Sequence, residues 1–339
     1  MRKSIKPLLQ LGLLILVFVW AVKKGYIIPG SVPPLEYDNL PQYNPDEYVS
    51  YQPISSSSFT EINTFKNIVT GRGYDKEITS IILIDQTIFI AGYIVEDNKE
   101  INRSSVDLIS ANIYTGKVNW QARIGDTALA TDLEHIYAES ITESFTPASA
   151  VAFELNGNIA WETSFDWKYA IGIESLFVLD SEIVVKTYNK GFGAFYILDK
   201  ETGQIRRFVK EQDYQTLPPK YLDPYLSYDG WIFETKGEWI TDLLSATNLS
   251  DGLTWQIEQP IVSNIALGGS VTYFFTKDAQ LMAVDTQTGE IVGQLQFSPK
   301  LSQDFSSTNN PIVVAAHNDI VAVYFNSDYQ LSVFRFTPE

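Results

Sequence analysis

The stretch SANIYTGKVNW, Ser110 to Trp120, places a tryptophan four residues after Gly116 of a Thr-Gly pair. A strand that stops at Asn112, a glycine that tolerates φ > 0, and a second short strand carrying Trp120 together describe a hairpin. The pattern recurs. VAFELNGNIAW ends at Trp161, ILDKETGQIRR at Arg207, SATNLSDGLTW at Trp255 and AVDTQTGEIVG at Gly293. The steps between copies are 41, 46, 48 and 38 residues. Their mean of about 43 is the period of a four-stranded propeller blade. Gly116, Gly157, Gly203, Gly252 and Gly289 are the turn glycines, with Asp199 and Asp285 ending the strands before two of them. Trp120, Trp161 and Trp255 fall on the outermost strand of each small sheet.

Between the copies lie further alternating runs, such as ITSIILIDQTIFIAGYI and ESLFVLDSEIVVKTY, each reading as strand, tight turn, strand. No segment after residue 54 sustains a 3.6-residue apolar period. The expected fold class is all-β: a β-propeller of four-stranded blades. Six blades are favoured, and a seventh or eighth is left open by the long interval from 161 to 255. Residues 210–226 in that interval contain three prolines and read as an insertion. The last unit, 309–336, supplies three strands and no turn-plus-Trp motif. An open edge there is a liability, and residues 57–70 are expected to supply the missing strand and join the chain ends.

Ahead of the repeats, residues 1–24 hold five cations and no acid, and Leu8 to Val22 is uncharged and mostly apolar. This reads as one N-terminal transmembrane helix, a signal anchor, with flanking lysine stems extending the span. A cleaved signal is the alternative, although WAVKKGYI offers no clean Ala-x-Ala site. The positive-inside rule puts the tail in the cytoplasm and the repeats outside the cell membrane, or secreted if the signal is cut. The expected domains are 1–25, tail and anchor; 26–56, a linker rich in Pro and Tyr; and 57–339, the propeller.

The net charge of the chain is −17, with 41 acids against 24 cations. Such a surface repels nucleic acid and anionic lipid. Cysteine is absent, which excludes disulfides, thiolate metal sites and cysteine nucleophiles.

The copies resemble the repeat of PQQ-like (quinoprotein-type) β-propellers, Ala-x-Asp-x-x-x-Gly-Lys-x-x-Trp. The match is best at Ala283, Asp285 and Gly289 and at Gly116, Lys117 and Trp120; Arg207 and Gly293 depart from it. The resemblance spans roughly residues 78–337. It implies that the tryptophan docks between neighbouring blades. The family includes quinone- and calcium-dependent dehydrogenases, but none of their catalytic residues maps onto this chain. It also includes a lipoprotein scaffold of outer-membrane assembly, whose lipidated cysteine this chain lacks. The resemblance therefore implies a non-catalytic, protein-binding scaffold without cofactor, with envelope or extracellular proteins as partners and the membrane engaged only through the N-terminal helix. An exported enzyme, either a divergent quinoprotein dehydrogenase or a glycan hydrolase, and a ligand-sensing ectodomain are the alternatives.

The chemistry-bearing residues are sparse. His135 and His317 sit far apart in apolar runs and are expected to be structural. The acid pairs Glu134/Glu139 and Asp180/Glu182 flank turns, where solvated carboxylates are expected rather than a glycosidase pair. Asn102 and Asn248 match glycosylation sequons.

Overall fold

A computed structural model describes residues 52–54, 56–66, 78–92, 106–125, 129–140, 147–217, 226–228, 231–236, 243–298, 312–325 and 330–338. The Leu8–Val22 segment, most of the linker, Asn102 and residues 218–225 of the expected insertion lie outside them. No helix among the described residues is long and apolar enough to cross a membrane.

The chain is all-β and propeller-like. It begins with β1 (Gln52–Pro53) and β2 (Phe59–Lys66), then builds six four-stranded antiparallel meanders among the described residues. The first unit is β3 (Ile78–Ile84), β4 (Thr87–Gly92), β5 (Val106–Asn112) and β6 (Val118–Ile124). The second is β7 (Ala130–Thr131), β8 (His135–Ser140), β9 (Ser149–Glu154) and β10 (Ile159–Ser164), joined to the first by the single pair Ile124 with Ser140. The third is β11 (Gly172–Val178), β12 (Glu182–Tyr188), β13 (Ala194–Asp199) and β14 (Ile205–Lys210), followed by a 3-10 helix, Glu211–Thr216. The fourth is β15 (Leu226–Tyr228), β16 (Trp231–Lys236), β17 (Leu243–Asn248) and β18 (Thr254–Ile257). The fifth is β19 (Ala266–Gly268), β20 (Val271–Phe275), β21 (Gln280–Asp285) and β22 (Ile291–Ser298). The sixth is composite: β23 (Ile312–His317), β24 (Ile320–Phe325) and β25 (Gln330–Phe336), completed by β2 from the other end of the chain. The long interval between Trp161 and Trp255 is filled by the third and fourth units, with no further sheet among the described residues.

Burial falls from the second strand of each unit to the last. All five residues of β20 and all six of β24 are buried, so both strands are covered on both faces; β24 is apolar throughout, and in β20 the buried hydroxyl of Thr272 is bonded to that of Thr286 at 2.9 Å. The outermost strands β6, β10 and β14 are mostly exposed. Apolar clusters stitch neighbouring units together. One joins the fifth to the sixth through Phe275, Phe297, Phe325 and Phe334. Others join sixth to first, first to second, second to third and fourth to fifth. The cluster on the remaining face of the third unit, around Val184, Phe195, Ile197 and Leu217, contains no residue of the fourth among those described.

The outer edge of β22 is covered by β1, which falls inside the stretch read as linker. Gln52 pairs with Ser298, Ile54 N–H donates to Gln296 O at 2.8 Å, and Ser56 Oγ donates to Gln294 O at 2.9 Å.

Candidate binding surface

Each repeated turn is held by its own side chains. Asp285 Oδ1 accepts from Gln287 N–H at 2.9 Å, Thr288 N–H at 2.8 Å and Thr288 Oγ1 at 3.1 Å. Asn112 does the same for Tyr114 and Thr115, and Asp199 for Thr202. This is the physical content of the Asp/Asn and Thr positions: the carboxylate or amide satisfies amides that the reversal leaves unpaired.

After the glycine, four of the five outer strands carry one extra residue before the tryptophan position, at Asn119, Ala160, Arg206 and Val292. These are β-bulges. The fourth unit has no bulge there, so Trp255 follows Gly252 by three residues yet still pairs with the small residue Ala246. Trp120 likewise pairs with Ser110 and Trp161 with Ala152.

The tryptophans leave their own sheets and settle in the next unit's turn. A Cβ added to Gly157 would lie 2.7 Å from Trp120 Cγ, one on Gly203 2.6 Å from Trp161 Cδ2, and one on Gly289 2.7 Å from Trp255 Cγ. The indole N–H groups donate to the carbonyls of Leu155, Lys200 and Thr286 at 2.8, 2.9 and 2.8 Å. The glycines are therefore floors under indole rings as well as turn residues. The composite sixth unit uses Phe65 over Gly116 instead, with Asn63 Nδ2 donating to Tyr114 O at 3.0 Å. At Gly293 the missing side chain is replaced by the ring of Phe336. The third unit is the exception. Arg207 stands at the tryptophan position and turns to Thr216 O at 3.4 Å, and no described atom lies within 4 Å of where a Cβ on Gly252 would be.

Asp132, between β7 and β8, is the most engaged carboxylate. Oδ1 accepts from the backbone N–H of Glu134 and His135 at 2.9 and 2.7 Å. Oδ2 meets Tyr137 Oη at 2.9 Å and Lys200 Nζ, from the third unit, at 3.1 Å. Burial opposes its ionisation, but the two backbone donors, Lys200 and Tyr137 overcome that and hold its pKa at about 2. Burial and the adjacent Asp132 push the Tyr137 phenol up. Asp132, Glu134 and His135 bring their ligand atoms within 4.8 Å of one another. The Lys200 ammonium already occupies the carboxylate that a cation would need, so the cluster is an inter-unit clamp.

The other sequence candidates are dispersed. His317 Nε2 lies 3.4 Å from Asp85 of the first unit. Glu134 and Glu139 sit at opposite ends of β8. Glu139 corrects the expectation of a solvated acid: it is buried and accepts from Ile173 N–H at 3.1 Å. Asp180 is exposed in a turn, and Glu182 lies 3.9 Å from Arg206. Asn248 Oδ1 is used internally, by Ser250.

The surface that stands out belongs to the third unit. Trp167, Tyr188, Phe192, Ile205, Phe208 and Tyr214 are all exposed there, Phe192 at 60%. At the end of the sheet opposite the Asp199 turn is an open cavity of about 590 Å³, lined by Lys168, Lys186, Phe192, Lys210 and Tyr214 among others. Three features shape it. The β12–β13 loop turns through Lys190 and Gly191, both at positive φ. Gly193 leaves room for the Glu211 carboxylate, and Glu211 N–H donates to Gly193 O at 2.9 Å. The Lys168 ammonium lies 5.3 Å from the Tyr169 ring centroid. Of the exposed apolar residues, Phe192 and Tyr214 line this cavity, beside Lys168, Lys186, Lys210 and Glu211; apolar groups gathered at a charged cavity make it the candidate contact surface. None of these lining residues was a sequence candidate. The available signal was Ile205 and Phe208 flanking two arginines in an outer strand.

No protein-family model and no curated protein matches the chain. Among solved structures, the crystal structure of BamB from Moraxella catarrhalis is similar at a TM-score of 0.34 and 13% identity, over 82% of this chain and 100% of that one.

Proposed function

We propose that the chain is a six-bladed, PQQ-like propeller held outside the cell membrane by the Leu8–Val22 segment, and that it works as a non-catalytic, protein-binding scaffold. The third unit's exposed aromatic and basic surface carries this reading, because rigid sheets that present exposed anchors are what protein partners bind. The polar clusters elsewhere support it too. Asp132, Tyr137 and Lys200 are spent on one another, and Glu139 on a backbone amide. Partners are envelope or extracellular proteins.

The test is site-specific photocrosslinking in the full chain in its native membrane, with the reactive group at Phe192, Phe208 or Tyr214 and a control at exposed Ile159 on the second unit. A discrete protein adduct from the third-unit positions and none from Ile159 is expected. Equal or absent adducts at all four positions would overturn the reading.

A further inference from the structure

Building on that reading, we propose that the cavity of the third unit is the socket for a neutral aromatic anchor of the protein partner, an indole or phenol ring whose N–H or O–H donates to Glu211. Charge does not choose the occupant. Lys168, Lys186, Lys210 and Glu211 line the cavity, Glu174 is paired with Lys186 at 2.5 Å, and Asp213 stands in the 3-10 helix beside Glu211. Three ammoniums meet three carboxylates, so an acidic or a basic side chain is attracted by one set and repelled by the other.

The rings and the unspent polar groups choose it. Phe192 is 60% exposed and Tyr214 45%, while Tyr169 and Phe195, which also line the cavity, are buried. Covering exposed rings with another ring gains apolar burial and aromatic packing together. Among the described residues, the Lys168 and Lys210 ammoniums have no carboxylate within 4.0 Å, and Lys168 already lies 5.3 Å from the Tyr169 ring centroid. An incoming ring offers these cations a further π face. The Glu211 carboxylate accepts no hydrogen bond from a described residue. An aliphatic anchor would cover that acceptor without pairing it, whereas an indole N–H or a phenol O–H satisfies it. The socket is also preformed. Asn189 Nδ2 donates to the carbonyls of Trp167 and Lys168 at 2.8 and 3.1 Å, and Asn189 O accepts from Phe192 N–H at 2.6 Å. With Glu211 N–H on Gly193 O, these bonds tie the β10–β11 loop, the β12–β13 loop and the 3-10 helix together, so little ordering cost is left for binding.

The probes are five blocked peptides, Gly-Ser-X-Ser-Gly with X as Trp, Tyr, Leu, Glu or Arg, titrated against the full chain in nanodiscs by saturation-transfer NMR. The Trp and Tyr peptides are expected to bind at least about fivefold more tightly than the other three, the worth of one aromatic or cation–π contact. The pair F192A and Y214A, checked for an unchanged far-UV spectrum, should remove that preference, and Ile159→Ala on the second unit should leave it intact. Wild type should favour Trp over 1-methyltryptophan, which has no N–H, by about fivefold, and Glu211→Leu should abolish that difference. No binding of any peptide, equal binding of Trp and Leu, no effect of F192A with Y214A, or an unchanged Trp preference over its methylated form in Glu211→Leu would each overturn the proposal. So would displacement of the Trp peptide by maltotriose, which marks a saccharide cleft. Protein crosslinks at Phe192 without selectivity for Trp or Tyr would sink this inference and leave the scaffold reading standing; absence of both would sink the two together.

Discussion

Trp161 and Gly203 lie 42 residues apart in the chain and in contact in the fold, and their energetic coupling tests the docking geometry directly. Trp161 is 8% exposed, its indole N–H donates to Lys200 O at 2.9 Å, and its ring lies 5.8 Å from that of Tyr137. Trp161→Ala removes that packing and leaves the carbonyl unpaired, a cost of about 3–5 kcal/mol. Gly203→Ala incurs two costs. At φ +68° a Cβ is unfavourable by about 1 kcal/mol. In addition, the Cβ would sit 2.6 Å from the ring, far inside carbon contact distance, and shifting the indole costs about 1–3 kcal/mol. With alanine at both positions the overlap has nothing to strike. Only the backbone cost survives, and the double variant is more stable than the sum of the single effects by about 1–3 kcal/mol. Guanidinium unfolding followed by far-UV circular dichroism measures all four proteins without relying on the deleted fluorophore. Additivity within about 0.5 kcal/mol would refute the contact, because distant and independent sites behave that way.

Gly252→Ala meets the same backbone cost at φ +75° with no ring overhead among the described residues, so it should destabilise by about 1–3 kcal/mol less than Gly289→Ala, which drives a Cβ into Trp255; equal midpoint shifts would contradict this. Arg207→Trp restores the repeat's tryptophan in the unit before Gly252, where no described atom lies within 4 Å of an added Cβ, and should raise the denaturation midpoint in a way that Arg207→Ala does not. Asp132 has its folded pKa depressed to about 2 from 3.8, so its contribution of about 2 kcal/mol is present above pH 4 and is lost as pH falls toward 2. Asp132→Asn should therefore be less stable than wild type at pH 6 and lose less stability between pH 4 and 2; parallel pH profiles would count against the clamp. The anchor reading expects the mature protein to keep its N-terminus and to stay with membranes through a carbonate wash, whereas a processed, released chain would contradict it.

The repeated turn was legible because its requirements are local. A residue at positive φ, an amide or carboxylate that caps the reversal and a hydroxyl before the glycine are all set within five residues of chain, as in Asp285 to Gly289. Repetition of that unit, with apolar runs between, was enough for an all-β chain of four-stranded units and for the expectation that an N-terminal strand completes the last one. The spacing anomaly at Gly252 and Trp255 was visible but not interpretable, since a β-bulge depends on the register against the neighbouring strand.

What the tertiary structure decided is where those side chains go. The floor under each indole belongs to the next unit, some forty residues away, so Phe65 taking the place of a tryptophan, and Gly252 having no described ring above it, have no local signature. Glu139 looked like a solvated turn acid and is instead a buried acceptor for Ile173, because two sheets close over it. Lys168, Lys186 and Lys210 are spread over 42 residues and become one cavity wall only when the loops of the third meander converge. Turns obey short-range backbone sterics and hydrogen bonding, which composition encodes directly. Seams and surfaces arise from which faces meet, and that is a property of the folded chain.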